Sequence, residues 1–119
     1  MEDYPQVREE DGSLSVEFAP GVKRSTGQPL KMVLDFGQFG EVIGIEILNL
    51  IFDAGKNSLG IIGQFVRTDG NGMRYSYDED SDSFYLRLKA GKSVDQKALQ
   101  GSMFLDDAGQ ILGLSAEWQ

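Results

Sequence analysis

Apolar and polar residues alternate in two stretches of this chain that lie 70 positions apart. Leu14, Val16 and Phe18 are separated by Ser15 and Glu17; Phe84, Leu86 and Leu88 are separated by Tyr85 and Arg87. A period of two places successive side chains on opposite faces of a strand, one buried and one wet. Further matches occur in the same order. Met32-Val33-Leu34-Asp35 corresponds to Met103-Phe104-Leu105-Asp106, and Gly40-Glu41-Val42-Ile43-Gly44-Ile45 to Gly109-Gln110-Ile111-Leu112-Gly113-Leu114. The first copy carries a longer turn, Phe36-Gly37-Gln38-Phe39. Ordered self-similarity of this kind points to an internal duplication.

Each copy reads as three strands. In the closing strands Ile43, Ile45 and Ile47 share a face, as do Leu112, Leu114, Ala116 and Trp118. Gly44 and Glu46, or Gly113, Ser115 and Glu117, occupy the other side. Asp106-Asp107-Ala108-Gly109 is a hairpin signal, because Asp initiates turns and Gly supplies a positive φ. Glu9-Glu10-Asp11-Gly12 and Asp78-Glu79-Asp80-Ser81-Asp82 sit where the first hairpins turn. In the connector, the spacing of Leu59, Ile62, Phe65 and Val66 predicts a short helix capped by Asn57 or Ser58. Gly60 and Gly63 each weaken that helix by up to about 1 kcal/mol relative to alanine. Thr68-Asp69-Gly70-Asn71-Gly72 reads as a loop into the second copy.

The expected fold is therefore α+β, mostly β, in a single domain over 1–119. It comprises two tandem three-stranded antiparallel β-units related by pseudo-two-fold symmetry, spanning 4–52 and 73–119, with a short connecting helix in the 53–72 connector. One such unit is marginal alone, since three strands leave most of their apolar face in water. Two units cover each other within one chain, as the subunits of a homodimer do.

Tyr77-Asp78-Glu79-Asp80-Ser81-Asp82-Ser83-Phe84-Tyr85-Leu86-Arg87-Leu88 resembles the opening of the small bacterial family called domain of unknown function 2283. That opening is a tyrosine-aspartate pair, an acidic turn and an aromatic-aliphatic strand. Val42-Ile43-Gly44-Ile45-Glu46-Ile47-Leu48 resembles the family's closing pattern. The second copy has the weaker ending, with Ser115 and Ala116 in place of Glu and Ile; the first has no Tyr-Asp pair before Leu14. The resemblance implies single-unit relatives, some encoded beside small toxin-like proteins, and thus an antitoxin-like role.

Composition narrows the chemistry. At 119 residues, with 40% apolar and 25% charged side chains, the chain is of ordinary globular make-up. It carries 19 acidic and 11 basic residues, a net charge of −8. That field repels a phosphate backbone and an anionic membrane surface, so neither nucleic acid nor membrane is an expected partner. The apolar stretch Ile43–Phe52 is too short to span a bilayer. Met1-Glu2-Asp3-Tyr4-Pro5 has no signal-peptide pattern, and a cytoplasmic setting is expected.

With no histidine and no cysteine, the Ser-His-Asp and Cys-His nucleophile systems and the usual zinc or copper sites are excluded. Asp78, Asp80 and Asp82 have the spacing of a calcium loop. Ser83, however, stands where the sharp-turn Gly belongs, and Lys89 where the bidentate Glu belongs, so a solvated turn is expected. Glu46 and Glu117 lie on the wet faces of equivalent strands, where a two-fold relation offers to bring them together as a carboxylate pair. Tyr77 is expected half-buried at the sheet edge, Tyr85 in a cross-strand pair, and Trp118 as a core plug. Lys89, Lys92 and Lys97 form a small basic cluster after Leu88. Leu50, Ile51 and Phe52 make an apolar stripe that supports a homodimer. No catalytic, cofactor or metal residue is assigned.

The functional expectation is a non-enzymatic protein-interaction module, an acidic antitoxin-like partner of a basic protein. The alternative is a small-ligand binder using a groove between the two repeats, with Phe36, Phe39 and Phe65 at the seam.

Overall fold

A computed structural model describes residues 4–66 and 73–118. The strands are β1 (Gln6–Glu10), β2 (Ser13–Glu17), β3 (Thr26–Phe36), β4 (Val42–Leu48), β5 (Arg74–Asp78), β6 (Ser83–Arg87), β7 (Asp95–Leu105) and β8 (Ile111–Glu117). Two short helices, α1 (Leu50–Ala54) and α2 (Gly60–Phe65), link β4 towards β5. All eight strands join one curled antiparallel sheet in the order β1-β2-β8-β7-β3-β4-β6-β5.

The expected three strands per half are therefore four. The additional strands, β1 (QVREE) and β5 (RYSYD), precede the acidic turns; β1 has no apolar alternation, and in β5 the alternating residues are two tyrosines between polar ones. Both are edge strands, with a neighbour on one side only. Edges are where charge is favoured. Nor do the halves meet as two separate sheets. The β1–β2 hairpin adds to β8, and the β5–β6 hairpin adds to β4, so each half of the chain completes the sheet begun by the other.

β3 and β7 form the middle of the sheet, paired without a break from Thr26↔Leu105 to Phe36↔Asp95. β4 flanks β3 only from Val33 to Phe36, and β8 flanks β7 only from Ser102 to Leu105. This stagger explains how Pro29 sits inside a long central strand. Opposite Ser102, β3 has β7 on one side and no strand on the other, an edge-like position that tolerates a missing N–H.

The inner face carries the core. Leu14 and Val16 come from β2, Leu30, Met32, Leu34 and Phe36 from β3, Ile45 and Ile47 from β4, and Phe84 and Leu86 from β6. Met103, Leu114 and Ala116 complete it from β7 and β8. Ile43 does not join them. The register shifts between Asp35 and Phe36, so that Val42, not Ile43, faces the core beside Ile45. The same shift opposite Phe104 and Leu105 turns Ile111 inward in place of Leu112. A bulge reverses the facing of the residues beyond it, and a period-two reading cannot anticipate it.

The helices close the hollow side of the sheet: Leu50, Ile62 and Val66 are buried in the same cluster. The expected helix is present, but neither expected cap is. Leu59 occupies the cap position without a side-chain bond, Asn57 instead reaches the Ala108 carbonyl at 3.5 Å, and the buried Ser58 hydroxyl has no partner among the described residues. The Ser58 carbonyl accepts the Ile111 N–H at 2.9 Å, which ties the connector to β8. The 68–72 loop lies outside the described residues. Among those described, no helix is long and apolar enough to cross a membrane.

The pairing predicts that a fragment spanning residues 73–119 will not fold as a monomer. Its β6 and β8 would lose β4 and β2, and β7 would lose β3. Far-ultraviolet circular dichroism at micromolar concentration should show an unfolded chain; a cooperative thermal transition there would contradict the interlocked arrangement.

Candidate interaction surface

The acidic turn between β5 and β6 is a structural tie. Asp82 adopts a left-handed conformation (φ 52°), which aims its carboxylate at the start of α1. There it accepts the Ile51 N–H at 2.8 Å and the Phe52 N–H at 3.0 Å, and the Tyr77 hydroxyl donates to it at 2.5 Å. The first-turn N–H groups of a helix have no internal acceptor, and a carboxylate from another part of the chain supplies one. Asp78 accepts the Asp80 N–H at 3.0 Å within the turn. The Asp78 and Asp82 carboxylates thus have separate tasks, and no group of three or more metal-ligating residues converges among the described residues.

The same contacts shift two acidities. The Tyr77 phenol is pushed up to about 12, first because its proton is held by Asp82, then by desolvation and the surrounding carboxylates. Asp82 is lowered from 3.8, chiefly by the Tyr77 bond and further by the two backbone N–H groups, against a desolvation that raises it.

On the outer face, Tyr85 lies directly opposite Glu46 and Ser76, as a cross-strand residue should. Its ring reaches over Gly44, where any Cβ would collide with the hydroxyl. That room allows the hydroxyl to donate to the Asp35 carboxylate at 3.0 Å, while the Gln96 amide donates to the other oxygen at 2.7 Å. Asp35 is 7% exposed, and two donors offset the cost of burying it. Burial, then the Asp35 bond, raises the Tyr85 phenol above its ordinary value. The sequence signal for this cluster is Gly44 opposite an aspartate on the neighbouring strand, and an alternation reading passes over it.

Glu46 and Glu117 are not brought together. β4 and β8 are separated by β3 and β7, three spacings of about 4.8 Å each, or roughly 14 Å along the sheet. They line different outer-face depressions. One, of about 440 Å³, is bounded by Lys31, Val33, Glu46, Leu48, Ala98 and Leu99. The other, of about 520 Å³, is bounded by Arg8, Glu10, Ser15, Ser102, Ser115 and Glu117. Gln100 borders both.

The lysines also disperse. Lys89 pairs with Glu9 at 3.6 Å, Lys92 is exposed between β6 and β7, and Lys97 lies in β7 opposite Leu34. Trp118 is partly buried against the core and meets Phe36 edge-on at 5.4 Å. Phe36 is buried and Phe39 is 83% exposed, so they form no common seam; the Phe65 side chain lies outside the described residues. The Leu50–Phe52 stripe is split, with Leu50 buried and Phe52 87% exposed.

Two clusters of acid stay open to solvent. Glu9, Glu10 and Asp11 in one hairpin, and Asp78, Glu79 and Asp80 in the other, are exposed. One of these carboxylates, Glu9, is engaged by Lys89 at 3.6 Å. Comparison with protein-family models, curated proteins and solved structures finds no match.

The Tyr77–Asp82 tie predicts a pH signature. A carboxylate held below its unfolded value contributes stability above pH 3.8 that is lost as pH falls through the folded value. A phenol raised to about 12 makes the folded state keep a proton that the unfolded chain releases near 10, so stability also declines between those values. Asp82→Asn should flatten the acid limb of a stability–pH profile and return the latest phenol, followed by ultraviolet absorbance, towards 10. An unchanged titration in that variant would contradict the tie.

Proposed function

We propose that the chain is a non-enzymatic protein-interaction module, an acidic partner for a basic protein. The observation that carries this reading is the acidic surface itself. Two hairpin turns crowded with exposed carboxylates, Glu10 and Asp11 in one and Asp78, Glu79 and Asp80 in the other, stand on a chain of net charge −8. Charge left without internal partners steers a complementary surface and accelerates encounter.

The same reading takes the fold as two copies of one unit. Strand lengths of 5, 5, 11 and 7 residues occur twice in succession, with a register shift at the end of each 11-residue strand. Exchanging the halves leaves the strand order unchanged when read from the other edge. The resemblance to the domain of unknown function 2283 family falls in with this. The good opening, β5–β6, comes from the second copy and the good ending, β4, from the first, and β6 and β4 are paired neighbours. An antitoxin-like role belongs to the same proposal, as one form of acidic partner.

Affinity capture from a host lysate at low and high salt tests the proposal, using the native chain and a Glu10→Lys/Glu79→Lys variant. A basic protein should be retained at about 0.05 M salt, released near 1 M as the Debye length shrinks to about 3 Å, and lost by the variant. Retention of nothing, or of proteins indifferent to both salt and charge reversal, would reject it.

A second reading is favoured by the depression over β4, β3 and β7. It straddles one central strand from each half, and Val33, Leu48, Ala98 and Leu99 give it an apolar lining. Its volume of about 440 Å³ falls within the range of small-molecule sites. A small apolar ligand bound there should perturb the amide resonances of these residues, and Ala98→Trp should abolish the effect. Perturbations that survive the substitution would place the ligand elsewhere.

A further inference from the structure

We infer that the β5 edge is a self-complementary docking strand, and that its partner is the β5 edge of a second copy of this chain. β5 ends the sheet, hydrogen-bonded to β6 on one side and, among the described residues, to no strand on the other. An edge of this kind offers a row of backbone groups to an incoming strand. Arg74, Ser76 and Asp78 are exposed on its outer face, while Tyr75 and Tyr77 are half-buried towards the core.

The order of charges selects the partner. Antiparallel pairing of two β5 strands about Ser76 places Arg74 opposite Asp78 of the second copy at both ends, Tyr75 opposite Tyr77, and Ser76 opposite Ser76. Residues directly opposed in an antiparallel pair share a face with their Cβ atoms about 5 Å apart, so both Arg–Asp contacts form on the outer surface. The other edge lacks this property. Antiparallel pairing of two β1 strands about Arg8 would set Arg8 against Arg8 and Val7 against Glu9. Like charges directly opposed destabilise a pair.

Within one chain Arg74 is poorly provided for. Its directly opposed neighbour on β6 is Arg87, a like charge. Arg87 turns away, donating to the Lys89 carbonyl at 3.3 Å and the Gly91 carbonyl at 3.0 Å. Among the described residues no carboxylate pairs with Arg74. Asp78 spends one oxygen on the Asp80 N–H and has the other to offer. A second copy supplies the counter-ion that Arg74 lacks among the described residues, and supplies it twice. A five-residue edge buries well under the roughly 1,200 Å² of a standard interface, so the association is of the weak, reversible class.

Sedimentation velocity from about 10 µM to about 1 mM, at about 0.05 M salt, tests this. The native chain should pass from monomer to dimer across that range. Arg74→Glu and Asp78→Lys should each weaken association at least about tenfold, because each sets like charges opposite one another at both ends. Mixed in equal amounts, the two variants should associate as the native chain does. In the mixed pair the introduced glutamate meets the introduced lysine at one end, and the native Asp78 meets the native Arg74 at the other. The double variant Arg74→Glu/Asp78→Lys should self-associate for the same reason, and circular dichroism reads whether each variant is folded. A native chain that stays monomeric to about 1 mM, variants that associate undiminished, or a mixture and a double variant that both fail to restore pairing would overturn the inference.

Discussion

The eleven-pair ladder between β3 and β7 is the constraint on which the remaining structure depends. It joins a strand from the first half of the chain to one from the second, so it cannot form until roughly seventy residues of chain have been brought back on themselves. Such non-local pairing repays its loop-closure entropy only when many contacts form together. Here they do. β4 and β8 extend the ladder at opposite ends, and each then receives a hairpin from the far half of the chain.

The stagger of that ladder gives the sheet its two different faces. Alternate residues of β2, β3, β4, β6 and β8 converge on the inside, where the two short helices cover them. On the outside, β4 and β8 overlap only part of the central strands, and the exposed stretches between them form the depressions bordered by Gln100. The register shifts at Asp35/Phe36 and Phe104/Leu105 belong to the same arrangement, turning Ile43 and Leu112 away from the inner cluster while both stay buried. Phe18 and Leu88 bond through their backbone N–H groups to the Leu112 and Ile43 carbonyls, which anchors the chain just beyond β2 and β6.

Polar groups inside this frame serve position before chemistry. Asp82 joins a hairpin turn to a helix start 30 residues away, and Asp35 joins β6 to β7 across the outer face. Glu9 does something similar, accepting the Val42 N–H at 3.1 Å while paired with Lys89. Carboxylates of the two acidic turns with no such duty, Glu10, Asp11, Glu79 and Asp80 among them, stay at the surface.

From the residues alone the class of fold, the acidic turns, the connector helix and the ordered internal matches were legible, because period-two alternation and turn chemistry are local properties. Leu14, Val16, Phe84 and Leu86 announced their strands by alternation, and all four are buried. β1 gave no such signal, since it carries polar residues that resemble loop, and β5 alternates only tyrosines with polar residues, with no aliphatic side chain. The bulge that exchanges Val42 for Ile43, and the roughly 14 Å that keeps Glu46 from Glu117, were decided by pairing between distant segments. So were the tasks of Asp35 and Asp82, whose donors include Tyr85 and Ile51, 50 and 31 residues away in the chain. Local sequence sets which face of a strand avoids water; only the tertiary pairing sets which strand lies beside it, and hence which side chains meet.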